Sequence, residues 1–151
     1  MEDEEDTVAD GLGDAEPETV VVGVDGSIAS DRALAWALDY ARRVGALVRI
    51  VTVWHFPTLY QDIPPNWDPE ASATAVQKRA LESLGGLADG IPIESKVRSG
   101  WPADVLIDES ESADLLVLGA RGHSPIARAL LGSTCLHCAS HSLCSVMIVR
   151  P

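Results

Sequence analysis

Short β-branched runs separated by amphipathic stretches of ten residues or more constrain this chain most. Residues 19–25, "TVVVGVD", read as a strand buried on both faces. Ser27 or Ser30 can cap the helix that follows, whose stripe is Ala33, Leu34, Ala37, Leu38, Ala41 and Val44 until Gly45 stops it. "LVRIVTVW" (47–54) is a second strand. A Pro-rich loop, "HFPTLYQDIPPNWDP", leads to a helix over about 69–88 with Ala73, Val76, Ala80, Leu84 and Leu87 on one face. "IPIESKVRSG" (91–100) alternates like a half-exposed strand, and Pro102 opens a helix running to about 112. "DLLVLG" (114–119) is a fourth strand, Ser133 to about His141 a helix, and "SVMIVRP" (145–151) a fifth strand.

Strands alternating with helices imply parallel pairing through crossovers. The expected fold is α/β: one five-stranded parallel open sheet with helices on both faces. Such folds bind ligands beyond the carboxyl ends of the strands, where strand order reverses. The loops after strands one and four, "GVDGS" and "GARGHSPIARALLGS", are therefore the places to look.

At 151 residues the chain fits one domain. Its net charge of −12 is unevenly placed: residues 1–18 hold nine acids and no Lys or Arg, leaving −3 for the rest. Residues 1–18 are expected to be a disordered acidic tail and 19–151 the folded domain, since so polar a segment cannot offset its ordering entropy. No apolar run is long enough to span a membrane, and the acidic start argues against a leader. A cytoplasmic address is expected, with neither membrane nor nucleic acid as partner. The three cysteines, Cys135, Cys138 and Cys144, argue against a disulfide framework.

The fourth strand ends in Gly119-Ala-Arg121-Gly122, and Gly132-Ser133-Thr134 opens the next helix. Phosphates are best held by converging backbone N–H groups, which glycine lets approach closely and a helix N-terminus supplies. Arg121, Arg128 and His123 make this loop basic on a nearly neutral domain, so anion binding is the natural reading. The spacing is neither GxxxxGK[ST] nor the dinucleotide GxGxxG.

The pattern G-x2-G-x9-G-[ST] resembles the nucleotide-binding signature of the universal stress protein family. "VVVGVDGS", "GWPADVLIDESESADLLVLGARG" and "GSTCLHCASHSLCSVMIVR" are similar to that family's opening strand, its third-helix and fourth-strand region, and its closing elements. The resemblance implies sheet order 3-2-1-4-5 and a single-domain, ATP-binding, cytoplasmic stress-response regulator. It implies a homodimer formed through the last strand, with Mg2+ expected beside the ATP. Asp25 would contact adenine, Gly23 would leave room beside it, and Val53 would line the slot. Gly119, Arg121, Gly122, Gly132, Ser133, Thr134 and Cys135 would hold ribose and phosphates. Cys135 departs from the usual Ser or Thr, and a thiol is a weaker donor. Ser145 replaces a common proline before the last strand.

Rival readings have less behind them. No HxGH-type motif marks an adenylyl-transferring enzyme, and no catalytic residue is assigned. No residue is evident to orient an attacking water against a γ-phosphate, so slow or no hydrolysis is expected. Asp25 reads as a ligand or turn carboxylate before a general base. A family member acting as a dimeric interaction protein without nucleotide is the alternative, and a weak ATPase the next. Cys135, Cys138 and His141, with His137 and Cys144 nearby, hint at metal or redox chemistry, but these cysteines are equally apt in a core and no metal is expected. Trp101 is expected to pack over the third helix, and Trp54, His55 and Phe56 to cover a core end or edge the slot.

Overall fold

The computed structural model describes residues 15–55, 64–120 and 131–151. In chain order the elements are β1 (Thr19–Gly23), α1 (Ile28–Val44), β2 (Leu47–Trp54), α2 (Pro69–Ser83), β3 (Ile93–Ser99), α3 (Pro102–Ser110), β4 (Leu115–Gly119), α4 (Ser133–His141) and β5 (Ser145–Val149). The strands pair in parallel in the order β3-β2-β1-β4-β5. The expected α/β sheet and its order are both present. No helix among the described residues is long and apolar enough to cross a membrane. The proposed disorder of residues 1–14, and Phe56, Arg121, Gly122, His123 and Arg128, lie outside the described residues.

Strand register divides the core into two halves. Val20 pairs with Val48, and Val22 with Ile50 and Val117, which sets these side chains on one face. There they meet Leu34 and Leu38 of α1 and Ala80 of α2, all buried. Val21, Val51, Leu116 and Leu118 point the other way, against Val105 and Leu106 of α3 and Cys135 and Cys138 of α4. Central strands buried on both faces must be apolar throughout, which is why β1 and β4 read as unbroken runs. Each fully buried Val, Leu or Ile contributes about 1.5–3 kcal/mol.

α1 starts at Ser27, whose Oγ accepts the Ser30 N–H (3.1 Å), and ends at Gly45, whose N–H donates to the Ala41 carbonyl (2.8 Å). Val44, expected on the buried stripe, is 48% exposed because the last turn projects past the sheet. α2 is shorter than expected. It ends at Ser83, and the weak helix formers Gly85 and Gly86 pass into a 3-10 turn (Gly85–Ala88) that leaves Leu87 exposed. A polar residue fills the stripe instead: Gln77 is buried and its Nε2 donates to the Lys96 carbonyl (2.6 Å). Glu18, assigned to the tail by charge, touches the fold: its carbonyl accepts the Leu47 N–H (2.8 Å) and its carboxylate the Tyr40 hydroxyl (3.1 Å).

The alternation in β3 is real, but its charged side, still partly exposed, also meets α3. Register places Glu94, Lys96 and Arg98 opposite Arg49, Val51 and Val53. Glu109 of α3, 5% exposed, reaches Arg98 (2.9 Å), Lys96 (3.2 Å) and Arg49 (3.3 Å). Arg49 also bonds Glu94 (2.6 Å), and Arg98 bonds Asp108 (2.6 Å). Three cations meet three carboxylates and tie α3 to the β2–β3 side of the sheet.

Candidate functional site

The sheet order reverses between β1 and β4, and a cavity of about 330 Å³ opens at their carboxyl ends. Of the residues singled out from sequence, Gly23, Asp25, Val53 and Gly119 line it, as do Gly132, Ser133, Thr134 and Cys135. Arg121 and Gly122 belong to the segment outside the described residues.

The cavity lining is of two chemical kinds. Val51, Val53, Leu106 and Leu118 give an apolar wall. The polar lining comes from Ser27 and Ser30 at the start of α1 and Gly132 to Cys135 at the start of α4, with the Pro102 ring of α3 beside them. Neither α3 nor α4 has a side-chain cap, so their first-turn N–H groups lack that local partner. The start of α4, without a side-chain cap, favours an anionic occupant by about 0.3–1 kcal/mol.

Asp25 lies in the turn between β1 and α1. Its Oδ1 accepts the Ser27 N–H (2.9 Å), and its own N–H donates to Ser30 Oγ (3.2 Å). Ser30 Oγ in turn donates to the Ser27 carbonyl (3.0 Å). Ser27 and Ser30 thus set both the helix start and the aspartate. Sequence reasoning used them only as caps, although polar side chains facing a ligand-binding loop were a usable signal.

Gly119 has a second role. A Cβ there would stand 2.5 Å from the Ala29 carbonyl oxygen, so the bare backbone is what lets α1 pack against the end of β4. At Gly23 a Cβ would press on Leu118 (3.2 Å) and Leu106 (3.3 Å), the apolar wall itself.

Cys135 is buried and its thiol donates to the Gly119 carbonyl (2.8 Å). Burial pushes the Cys135 thiol up, and burial with the nearby Cys135 and Asp104 pushes Cys138 up to about 11. Both shifts favour the thiol over the thiolate and make these groups weaker nucleophiles. α4 also separates the suspected metal cluster: Cys135 and Cys138 point into the core, whereas His137 and His141 stack on the exposed side, ring centroids 4.5 Å apart. Among the described residues no group of three or more His, Cys, Asp or Glu is placed to hold a metal ion.

Trp101 does not pack over α3. It is 57% exposed and stacks on His55, ring centroids 5.3 Å apart and planes 22° from parallel.

Comparisons with known proteins agree with this geometry. The model of the universal stress protein family matches residues 17–150. A universal stress protein of Mycolicibacterium smegmatis is 33% identical over 137 residues, covering 87% of this chain and 45% of that one. The chain spans about half the length of the curated relatives it matches, between 45% and 51%. Among solved structures, the universal stress protein UspA from Lactobacillus plantarum superposes with a TM-score of 0.71 at 25% identity, covering 91% of this chain and 100% of that one. A universal stress protein in complex with cAMP superposes with a TM-score of 0.70 at 31% identity, covering 90% and 99%. The chain belongs to the universal stress protein family.

Proposed function

We propose that this domain binds an adenine nucleotide, ATP with its Mg2+, in the cavity between β1 and β4 and acts as a nucleotide-responsive regulator of a stress response. The observation behind this reading is the cavity's mixed lining: an apolar wall for a base and the uncapped start of α4 for phosphates. The fit is tested by Gly132 to Cys135, whose main chain begins a helix without a side-chain cap and borders the cavity. The cAMP held by a 31% identical relative makes an adenine ligand the economical choice. Asp25, Gly23 and Val53 would take the base side. Gly119 and Gly132 to Cys135, continued by Arg121 and Gly122, would take ribose and phosphates.

The ligand is a conformational effector and is turned over slowly or not at all. Phosphoryl transfer needs a group that orients the attacking water. Among the described cavity residues the single carboxylate is Asp25, at the strand-one side and already holding the Ser27 N–H. A second copy would pair along β5, the edge strand where Met147 is 37% exposed, and cover an otherwise adhesive edge. A cytoplasmic setting suits this reading.

Mass spectrometry of small molecules released from freshly purified protein tests the ligand, with an adenine nucleotide expected. Turnover near about 1 per second that disappears in Asp25→Ala at saturating ATP would make the protein an ATPase instead. Light scattering that gave a monomer at micromolar concentration would remove the dimer.

A further inference from the structure

Trp101 breaks two local rules at once. It occupies the N-cap of α3, where Ser, Thr, Asp or Asn is favoured, and makes no side-chain cap bond. It also leaves 57% of its surface to water, although Trp is highly buried on average. A local rule broken with no structural gain in return is a mark of function.

The main chain around it is firmly set. Gly100 has φ +138°, a conformation suited to glycine, and its N–H donates to the Trp54 carbonyl (2.9 Å) just beyond the last β2–β3 pair, Trp54 and Ser99. The Trp101 carbonyl accepts the Val105 N–H (3.0 Å), and Pro102 fixes the next residue. The indole stacks on the His55 imidazole at 5.3 Å. A comparable stack, Trp36 on Tyr40 at 5.4 Å, is packed against the α1 core, so its purpose is structural. Among the described residues His55 and Trp101 are packed against neither core cluster, and both are exposed.

Their neighbours in sequence are cavity residues. Pro102 follows Trp101, and Val53 lies two before His55; both line the cavity, and Val53 belongs to its apolar wall. We propose that the Trp101–His55 pair is a stacking platform at the mouth of the cavity that takes the face of the nucleotide's purine ring. The inference rests on the nucleotide reading above and adds the element that selects the base. A flat aromatic surface about one ring wide, next in sequence to residues of an apolar wall, matches a heteroaromatic base. The uncapped start of α4 would hold the phosphates.

The test is calorimetric titration of ATP into the wild type, Trp101→Ala and Trp101→Phe, with circular dichroism confirming the fold of each. Stacking on an aromatic side chain implies that Trp101→Ala weakens ATP about ten-fold, whereas Trp101→Phe keeps most of the affinity. ATP should also quench indole emission in the wild type, with that component missing from Trp101→Phe. Unchanged ATP affinity in a folded Trp101→Ala would overturn the platform and leave the nucleotide reading intact. Equal losses in the Ala and Phe variants would also overturn it, by assigning the effect to the α3 N-terminus. A wild type that binds no ATP would remove both.

Discussion

The two faces of the sheet are built on opposite principles. The face under α1 and α2 is a continuous aliphatic core in which Val20, Val22, Leu34, Leu38, Val48 and Ile50 exclude water completely. The face under α3 and α4 is interrupted by a six-member ion cluster around Glu109, by two buried thiols and by the mouth of the cavity. Burial on the first face supplies stability that the second does not maximise. What the second gains is position: ion pairs hold α3 so that Pro102 and Leu106 border the cavity. Stability and ligand chemistry are thus separable by face, and substitutions on each should report different quantities.

The largest effect is expected on the aliphatic face. Leu34→Ala opens a cavity among fully buried neighbours and should cost about 2–5 kcal/mol in urea unfolding, while the folded fraction binds ATP with wild-type affinity. A smaller loss, about 1–3 kcal/mol at neutral pH, is expected for Glu109→Gln, which leaves Arg49, Lys96 and Arg98 without their shared carboxylate. Burial alone would raise the Glu109 carboxyl, but hydrogen bonds from Arg98 and Lys96, with the charges of Lys96 and Arg49, hold it below the ordinary 4.5. Its stabilisation is therefore complete above about 4.5 and lost as pH falls through the lower folded value. Wild type and Glu109→Gln should converge in stability as pH falls through and below that folded value; a constant gap would mean that the carboxylate's charge is not what matters.

Gly119 is where the two faces communicate. Gly119→Ala drives a Cβ into the Ala29 backbone and should cost about 1–3 kcal/mol in thermal unfolding. Because the displaced start of α1 carries Ser27 and Ser30, ATP affinity should fall as well. Loss of affinity with no loss of stability would show that this glycine serves the ligand alone. The smallest effect belongs to the acidic segment. Removing residues 1–14 while keeping Glu18 and its bond to Tyr40 should change stability by less than about 0.5 kcal/mol, and a larger drop would show that the segment docks.

The aliphatic face was legible in the sequence because both of its signals are local. β-branched runs mark the strands, and the 3.6-residue stripe of α1 marks the buried helix side from Ala33 to Ala41. The site was legible through its glycines, since their spacing alone puts Gly119 at a strand end and Gly132 at a helix start. The polar face was not. Glu94, Lys96 and Arg98 alternate like a solvated edge, and nothing local reveals that Glu109 of α3 will cover them. Gln77 went unseen for the same reason: the carbonyl it satisfies belongs to Lys96 on another strand. Trp101 shows the converse. Size alone suggested a packed residue, whereas its exposure follows from the Gly100 turn and the start of α3.

The central claim is that the α3–α4 face holds an adenine nucleotide at the uncapped start of α4. Its most direct test is titration calorimetry of ATP and Mg2+ into the wild type and into Gly132→Val, with circular dichroism to confirm both folds. The account expects close to one ATP per chain in the wild type. It expects no measurable heat of binding in Gly132→Val, because a β-branched side chain would stand where the phosphates meet the backbone. Equal affinity in both proteins, or no binding by either at millimolar ATP, would contradict it.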